Sequence, residues 1–180
     1  DGEWTALVES IDKKSTLLRA VDRTREQPPS TEAAAAPTLL FAVLKGARLS
    51  TLVEKATELG VGELRPVITT RCAVRKLNVP RLQAIAMEAS EQCGRLTVPT
   101  ISEPETLASV LNGWDEPLPL FVCDERGGSP PLSTLVDALV SSGPGPGILI
   151  GPEGGFAPKE FNAMAERSYV RLVSGSYTHL

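Results

Sequence analysis

The chain has 180 residues, of which 42% are hydrophobic and 22% charged, a balance typical of folded globular proteins rather than disordered ones. Its formal net charge of −4 argues against a general nucleic-acid-binding protein, and its longest largely apolar run, Ala33 to Leu44, is too short for a membrane span. Three widely spaced cysteines (Cys72, Cys93 and Cys123) and one histidine, His179, argue against a disulfide scaffold or a metal site, so we expect reduced thiols in a cytoplasmic protein.

The first segment, residues 1–25, is expected to form β-structure. Apolar and polar side chains alternate from Trp4 to Val8, and residues 16–21 form a second short apolar run after a polar turn. Two strands alone are barely stable and the chain does not start with Met, so we expect the end of a small β domain whose beginning is absent. Residues 26–37, which contain three prolines, predict a linker.

From Thr38 onward, short apolar strands alternate with amphipathic helices. The patterns predict strands at 39–44, 64–69, 118–123, 147–150 and 169–173, and helices at 49–59, 79–89, 102–113, 132–140 and 158–167. Asn78 is placed to cap the second helix, and Gly60 is placed to end the first. This order predicts an α/β fold with a mostly parallel sheet and helices on both faces.

Charge is distributed unevenly along the chain. Residues 1–95 hold 14 basic and 12 acidic side chains, whereas residues 96–180 hold 4 and 10. Five basic residues follow one another with no acidic residue between them: Arg65, Arg71, Arg75, Lys76 and Arg81. Such a cluster suits a surface that neutralises RNA phosphates, and an ordinary solvated loop remains the alternative.

A glycine-rich loop follows the strand at 147–150. Its sequence, Gly-Pro-Glu-Gly-Gly over 151–155, stands where a parallel sheet binds ligands. The spacing fits neither a Walker loop nor a dinucleotide fingerprint, and Glu153 would repel a pyrophosphate but tolerate a positive centre such as a sulfonium. The alternative is a tight turn that needs glycine only for its geometry.

A second group of polar residues occupies the end of the helix before Gly94. Glu88, Glu91, Gln92 and Arg95 are spaced by three or four residues and share one face. Because Gly94 is expected to end the helix, we predict that Arg95 points outward, toward a phosphate or a base. The alternative is a surface ion pair between Glu91 and Arg95.

These stretches together closely resemble the RsmE family. The resemblance is carried by Lys-Ala-Thr-Glu-Leu-Gly-Val at 55–61, Glu-Ala-Ser-Glu-Gln-Cys-Gly-Arg at 88–95 and Ile-Gly-Pro-Glu-Gly-Gly-Phe at 150–156, in matching order. Members of this family are bacterial methyltransferases of the SPOUT superfamily that act on uridine N3 in 16S ribosomal RNA. The resemblance implies a SPOUT methyltransferase domain with a trefoil knot over 38–180 and the end of a PUA-like RNA-binding domain over 1–25.

The resemblance also implies S-adenosylmethionine as methyl donor, a homodimer with active sites at the subunit interface, and the small ribosomal subunit as partner. No membrane or metal is expected. It implies a cofactor site formed by three segments: Val122 and Cys123; Ile150, Gly151, Pro152, Glu153, Gly154 and Gly155; and Leu172, Val173 and Ser174. Gln92, Arg71, Arg75 and Lys76 are the RNA-binding candidates.

Methylation at uridine N3 requires loss of the N3 proton. We expect Arg95 to stabilise the resulting anion, and Glu91 or Glu153 to accept the proton if burial raises its pKa. Where the family continues its last strand with an arginine-containing motif, this chain has Ser-Gly-Ser-Tyr-Thr-His-Leu over 174–180, so we expect a C-terminally truncated domain. A SPOUT enzyme for another RNA, such as a transfer RNA 2′-hydroxyl, and a non-catalytic RNA-binding or dimerisation module remain alternatives.

Overall fold

The structure is a computed structural model that describes residues 2–29, 35–72, 76–114, 118–124, 126, 128–131 and 145–174. The helix expected at 132–140 and the RNA-binding candidate Arg75 lie outside these residues. Among the described residues, no helix has the length and apolar character needed to cross a membrane.

The N-terminal segment forms a separate two-stranded antiparallel sheet, as the alternation predicts. Strand β1 covers Gly2–Ile11 and strand β2 covers Thr16–Glu26, with three register shifts between them. Both faces of this hairpin expose apolar side chains, because nothing in the described chain covers them. Arg25 near the end of β2 donates a hydrogen bond to the carbonyl of Gly94, 2.9 Å away, which ties the hairpin to the larger sheet domain.

The second sheet is parallel throughout, as predicted. Its order is β5-β4-β3-β8-β7-β9, with β6 also paired to β4. The strands are β3 (Thr38–Ala42), β4 (Glu63–Ile68), β5 (Thr100–Ile101), β6 (Glu105–Thr106), β7 (Leu120–Cys123), β8 (Gly147–Ile150) and β9 (Val170–Val173). Since all strands are parallel, the carboxyl ends of β3, β4, β7, β8 and β9 lie at the same end of the sheet, which we call its carboxyl edge. The glycine-rich loop lies at this edge.

Helices cover both faces of this sheet. They are α1 (Ala47–Glu58), α2 (Val79–Gln92), α3 (Leu107–Gly113) and α4 (Pro158–Ala165). Successive residues of β3 point to opposite faces. Phe41 therefore packs with Val53 of α1 in one core cluster, whereas Leu40 packs with Val110 of α3 and Met164 of α4 in the other.

Two helix boundaries follow the sequence signals, and one does not. The Asn78 side chain accepts a hydrogen bond from the Arg81 amide at 3.1 Å, and Gly60, with φ +94°, follows the end of α1. The helix expected from residue 102 begins only at Leu107. The reason is that residues 105–106 pair with β4 and that the Thr106 hydroxyl, which accepts from the Ser109 amide at 3.1 Å, caps the helix instead.

Candidate active site

The glycine-rich loop is a tight turn packed on an aromatic side chain. The Gly155 amide donates to the Pro152 carbonyl at 2.8 Å, and Gly155 has φ +67°, which favours glycine. A Cβ on Gly151 would lie 2.8 Å from the ring of Phe156, which is only 3% exposed. Turn geometry therefore accounts for Gly155, and packing against Phe156 accounts for Gly151. Gly154 is exposed. A Cβ added to Gly154 would have the Arg71 side chain as its nearest neighbour, 3.6 Å away.

Two arginines from neighbouring connections hold this loop. The Arg71 guanidinium, which follows β4, donates to the carbonyl of Gly154. Arg48 in the first turn of α1 donates to the Glu153 carboxylate at 2.8 Å. A hydrogen bond from its own backbone amide and the contact with Arg48 hold the pKa of Glu153 below its ordinary value. The condition on which Glu153 was to accept a proton, a pKa raised by burial, is therefore not met, because this carboxylate is exposed and paired.

The three segments expected to form a cofactor site lie at adjacent strand ends. In the sheet, Val122 of β7 pairs with Leu149 of β8 on one side and with Leu172 of β9 on the other. The side chain of Ile150, at the end of β8 between β3 and β7, is nevertheless 42% exposed. Cys123 beside it is half-buried, and burial raises the pKa of its thiol.

This edge brings an apolar side chain, open backbone and a polar residue close together. Ile150 gives this edge an exposed apolar side chain at the end of a central strand. The exposed Gly154 leaves backbone open beside it. Ser174, the last described residue, is held near this edge because its amide donates to the carbonyl of Pro130 at 2.9 Å.

An ion pair with a buried carboxylate follows β7, and the sequence analysis did not identify it. Asp124 is 2% exposed, and its carboxylate accepts from the Arg126 guanidinium at 2.8 and 2.9 Å. The guanidinium carbon of Arg126 lies 3.4 Å from the ring centroid of Phe161 in α4, a cation–π contact. The Asp124 amide donates to the carbonyl of Val173 at 2.7 Å. This arrangement fixes the segment after β7 against β9 and α4.

The structure places Arg95 away from the glycine-rich loop of the same subunit. Its guanidinium donates to the carbonyls of Thr57 and Val61, the latter at 3.2 Å, and to the Thr97 hydroxyl at 3.1 Å. Thr57 lies near the end of α1, Val61 just before β4 and Thr97 just before β5. All three are at the amino ends of the strands, whereas the glycine-rich loop lies at their carboxyl ends. The predicted outward orientation is therefore wrong, because the carbonyls at the end of α1 attract the guanidinium.

The remaining site candidates are on the surface. Glu91 and Gln92 are exposed on the last turn of α2, and Glu91 forms no ion pair with Arg95. Lys76 is exposed after β4. Among the described residues, no group of three or more histidine, cysteine, aspartate or glutamate side chains is placed to hold a metal ion. The catalytic roles of Glu91 and Arg95 stay predictions.

Comparison with known proteins finds a family match over most of the chain. The model of the RNA methyltransferase domain family matches residues 31–174. The chain is 29% identical over 174 residues to ribosomal RNA small subunit methyltransferase E of Rickettsia conorii, covering 97% of this chain and 68% of that relative. It is 28% identical over 173 residues to the Synechocystis protein of the same name, covering 93% of this chain and 54% of that relative.

Solved structures share the fold. Ribosomal RNA small subunit methyltransferase E from Neisseria gonorrhoeae, bound to S-adenosylmethionine, matches with a TM-score of 0.79 and 24% identity over 98% of this chain and 72% of that one. A candidate methyltransferase from Legionella pneumophila, in complex with S-adenosylmethionine, matches with a TM-score of 0.75 and 29% identity over 96% of this chain and 70% of that one.

Proposed function

The chain belongs to the RNA methyltransferase domain family, and from this premise we propose that it transfers a methyl group from S-adenosylmethionine to uridine N3 in 16S ribosomal RNA. The resemblance to the RsmE family is confirmed by the relatives from Rickettsia and Synechocystis. One observation carries the proposal. The glycine-rich loop lies next to the carboxyl ends of β7 and β9, beside the exposed Ile150.

The proposed cofactor site uses backbone and apolar groups of this edge. Ile150, Cys123 and Leu172 would cover the adenosine, and the backbone of 151–155 would contact its polar atoms. When bound, the cofactor supplies an electrophilic methyl group on a positively charged sulfur. Arg71 and Arg48 hold the loop in place, so less order has to be gained when the ligand binds.

The base chemistry requires a group that stabilises uridine after N3 loses its proton. Because Arg95 lies at the opposite edge of its own subunit, the proposed role of Arg95 and Glu91 requires that α2 of one copy approach the glycine-rich loop of another. A homodimer with shared active sites meets this requirement. The dimer, the trefoil knot, the PUA-like identity of residues 1–25 and the cytoplasmic location belong to the proposal.

The proposal has a direct test in two steps. Isothermal titration of the chain with S-adenosylmethionine is expected to show saturable binding, beside a version that carries the family's complete C-terminal segment. Incubation of small ribosomal subunits with the cofactor, followed by nucleoside analysis, is expected to yield N3-methyluridine. A methylated 2′-hydroxyl would assign another RNA reaction, and absence of cofactor binding by both versions would favour the non-catalytic module.

A further inference from the structure

A basic groove lies beside the glycine-rich loop, at the carboxyl ends of β3 and β4. It consists of two adjoining cavities. One, of about 220 Å³, is lined by Lys45, Lys76 and Arg81, and the other, of about 370 Å³, by Lys45, Arg48 and Glu153. Lys45 lines both, so the two cavities adjoin at this residue. We use "basic groove" for the surface formed by Lys45, Arg48, Lys76 and Arg81.

The positive charge of the basic groove is mostly unpaired. Within the described chain, the side chains of Lys45, Lys76 and Arg81 are exposed and form no ion pair or hydrogen bond. Arg48 is paired with Glu153, the one acidic residue among those that line the two cavities. Four cations therefore face one carboxylate, in a chain whose overall charge is negative. A concave surface of this kind attracts a polyanion more strongly than a flat one.

The backbone adds to this potential. Helices α1 and α2 both begin at the groove, with Gly46 and Asn78 as their first capping residues, and neither has an acidic side chain in its first turn. The positive ends of two helix dipoles thus point toward the same depression as the lysines. This contribution supports the side-chain charges and would not make a binding site by itself.

We propose that the basic groove binds the phosphate backbone of the RNA that carries the target nucleotide. This inference rests on the proposed function and adds Lys45 and Arg48 to the basic residues that the sequence analysis offers for RNA phosphates. The ion pair between Arg48 and Glu153 joins the groove to the glycine-rich loop. A strand held in the groove therefore passes beside the loop, which places one of its bases at the end of β8.

The test measures how RNA binding depends on salt. Each lysine that neutralises a phosphate of a single strand contributes about 0.7 to the slope of log affinity against log salt concentration. Binding of a short fluorescein-labelled single-stranded RNA is measured by anisotropy between about 50 and about 200 mM salt. We expect Lys45→Ala and Lys76→Ala each to lower the magnitude of the slope by about 0.7, and the double variant to lower it by about 1.4.

A matched control is available on the same helix. Lys55 lies at the far end of α1, paired with Glu54 and Glu58 at 2.8 and 2.9 Å, so Lys55→Ala removes the same charge away from the groove. It is expected to leave the slope unchanged. Equal slopes for wild type and the double variant, with cofactor binding retained, would overturn the groove and leave the proposed function intact. If the wild type does not bind the RNA, the groove proposal fails as well. If the wild type binds RNA but transfers no methyl group, only the proposed function fails.

Discussion

The guanidinium of Arg71, at the end of β4, donates a hydrogen bond to the backbone carbonyl of Gly154 in the loop after β8. This contact anchors the exposed part of the loop to the segment that follows β4. We expect Arg71→Ala to weaken binding of S-adenosylmethionine roughly fivefold, because an exposed hydrogen bond to a charged group is worth about 1 kcal/mol. Isothermal titration gives the dissociation constant directly.

The control for Arg71 separates loop position from charge. Lys at this position keeps the charge but cannot reproduce the planar guanidinium, so Arg71→Lys is expected to restore only part of the affinity. Because the side chain is exposed, both variants should unfold at the same urea concentration as the wild type. Unchanged cofactor affinity in Arg71→Ala would show that the loop needs no such support.

The contact between Gly151 and Phe156 leads to a prediction about stability. An alanine at 151 would place its Cβ 2.8 Å from a buried ring, so we expect Gly151→Ala to lower the free energy of unfolding by about 1 to 3 kcal/mol. Gly154→Ala is the matched control, since its Cβ would meet only the flexible Arg71 side chain at 3.6 Å. Urea unfolding measures both. Equal stability of the two variants would contradict the packing argument.

The parallel sheet was predictable because its strands are short apolar runs bounded by glycine and proline. The strand Gly147–Ile150 agrees to the residue, and α2 starts where Asn78 predicts it. The adjacent strand ends expected to form a cofactor site also lie together, since parallel strands bring their carboxyl ends to one edge. Local signals were sufficient for these features.

Features that depend on distant partners were not predictable from local sequence. Arg95 turns inward because carbonyls 38 and 34 residues earlier in the chain accept its hydrogen bonds. Residue 105 joins the sheet rather than a helix because Arg65, on β4, binds its carboxylate at 2.9 Å. The pair Asp124 and Arg126 has a local spacing of two, but only the fold shows that the carboxylate is buried.

The contacts of Arg95 predict a structural effect. Arg95→Ala removes hydrogen bonds to the end of α1, and we expect the free energy of unfolding to fall by about 1 to 3 kcal/mol. Arg81→Ala, on the preceding helix α2, removes a side chain that has no ion pair or hydrogen bond among the described residues, and it is expected to leave the free energy of unfolding unchanged. Chemical denaturation compares the two.

The same variant separates stability from catalysis. Arg95→Lys should recover part of the lost stability, since an ammonium can reach one carbonyl but not three acceptors. If Arg95→Ala keeps its fold below the melting transition and binds cofactor but no longer methylates RNA, the proposed catalytic role gains support. Wild-type stability in Arg95→Ala would contradict the structural role.

The ion pair between the buried Asp124 and the half-exposed Arg126 predicts how stability depends on pH. Hydrogen bonds from Arg126 hold the pKa of Asp124 below its ordinary value of 3.8. A group whose folded pKa is depressed stabilises the fold above its ordinary pKa, and this contribution is lost as pH falls through the folded pKa. We expect Asp124→Asn to be less stable than the wild type at about pH 7, with the difference shrinking below about pH 4.

Asp22→Asn, on the exposed hairpin, is the matched control. The pKa of Glu105 is also held low, chiefly by Arg65, so the variant retains some acid sensitivity. Urea unfolding at a series of pH values gives the curves, and parallel curves for wild type and Asp124→Asn would show that the pair does not link folding to protonation.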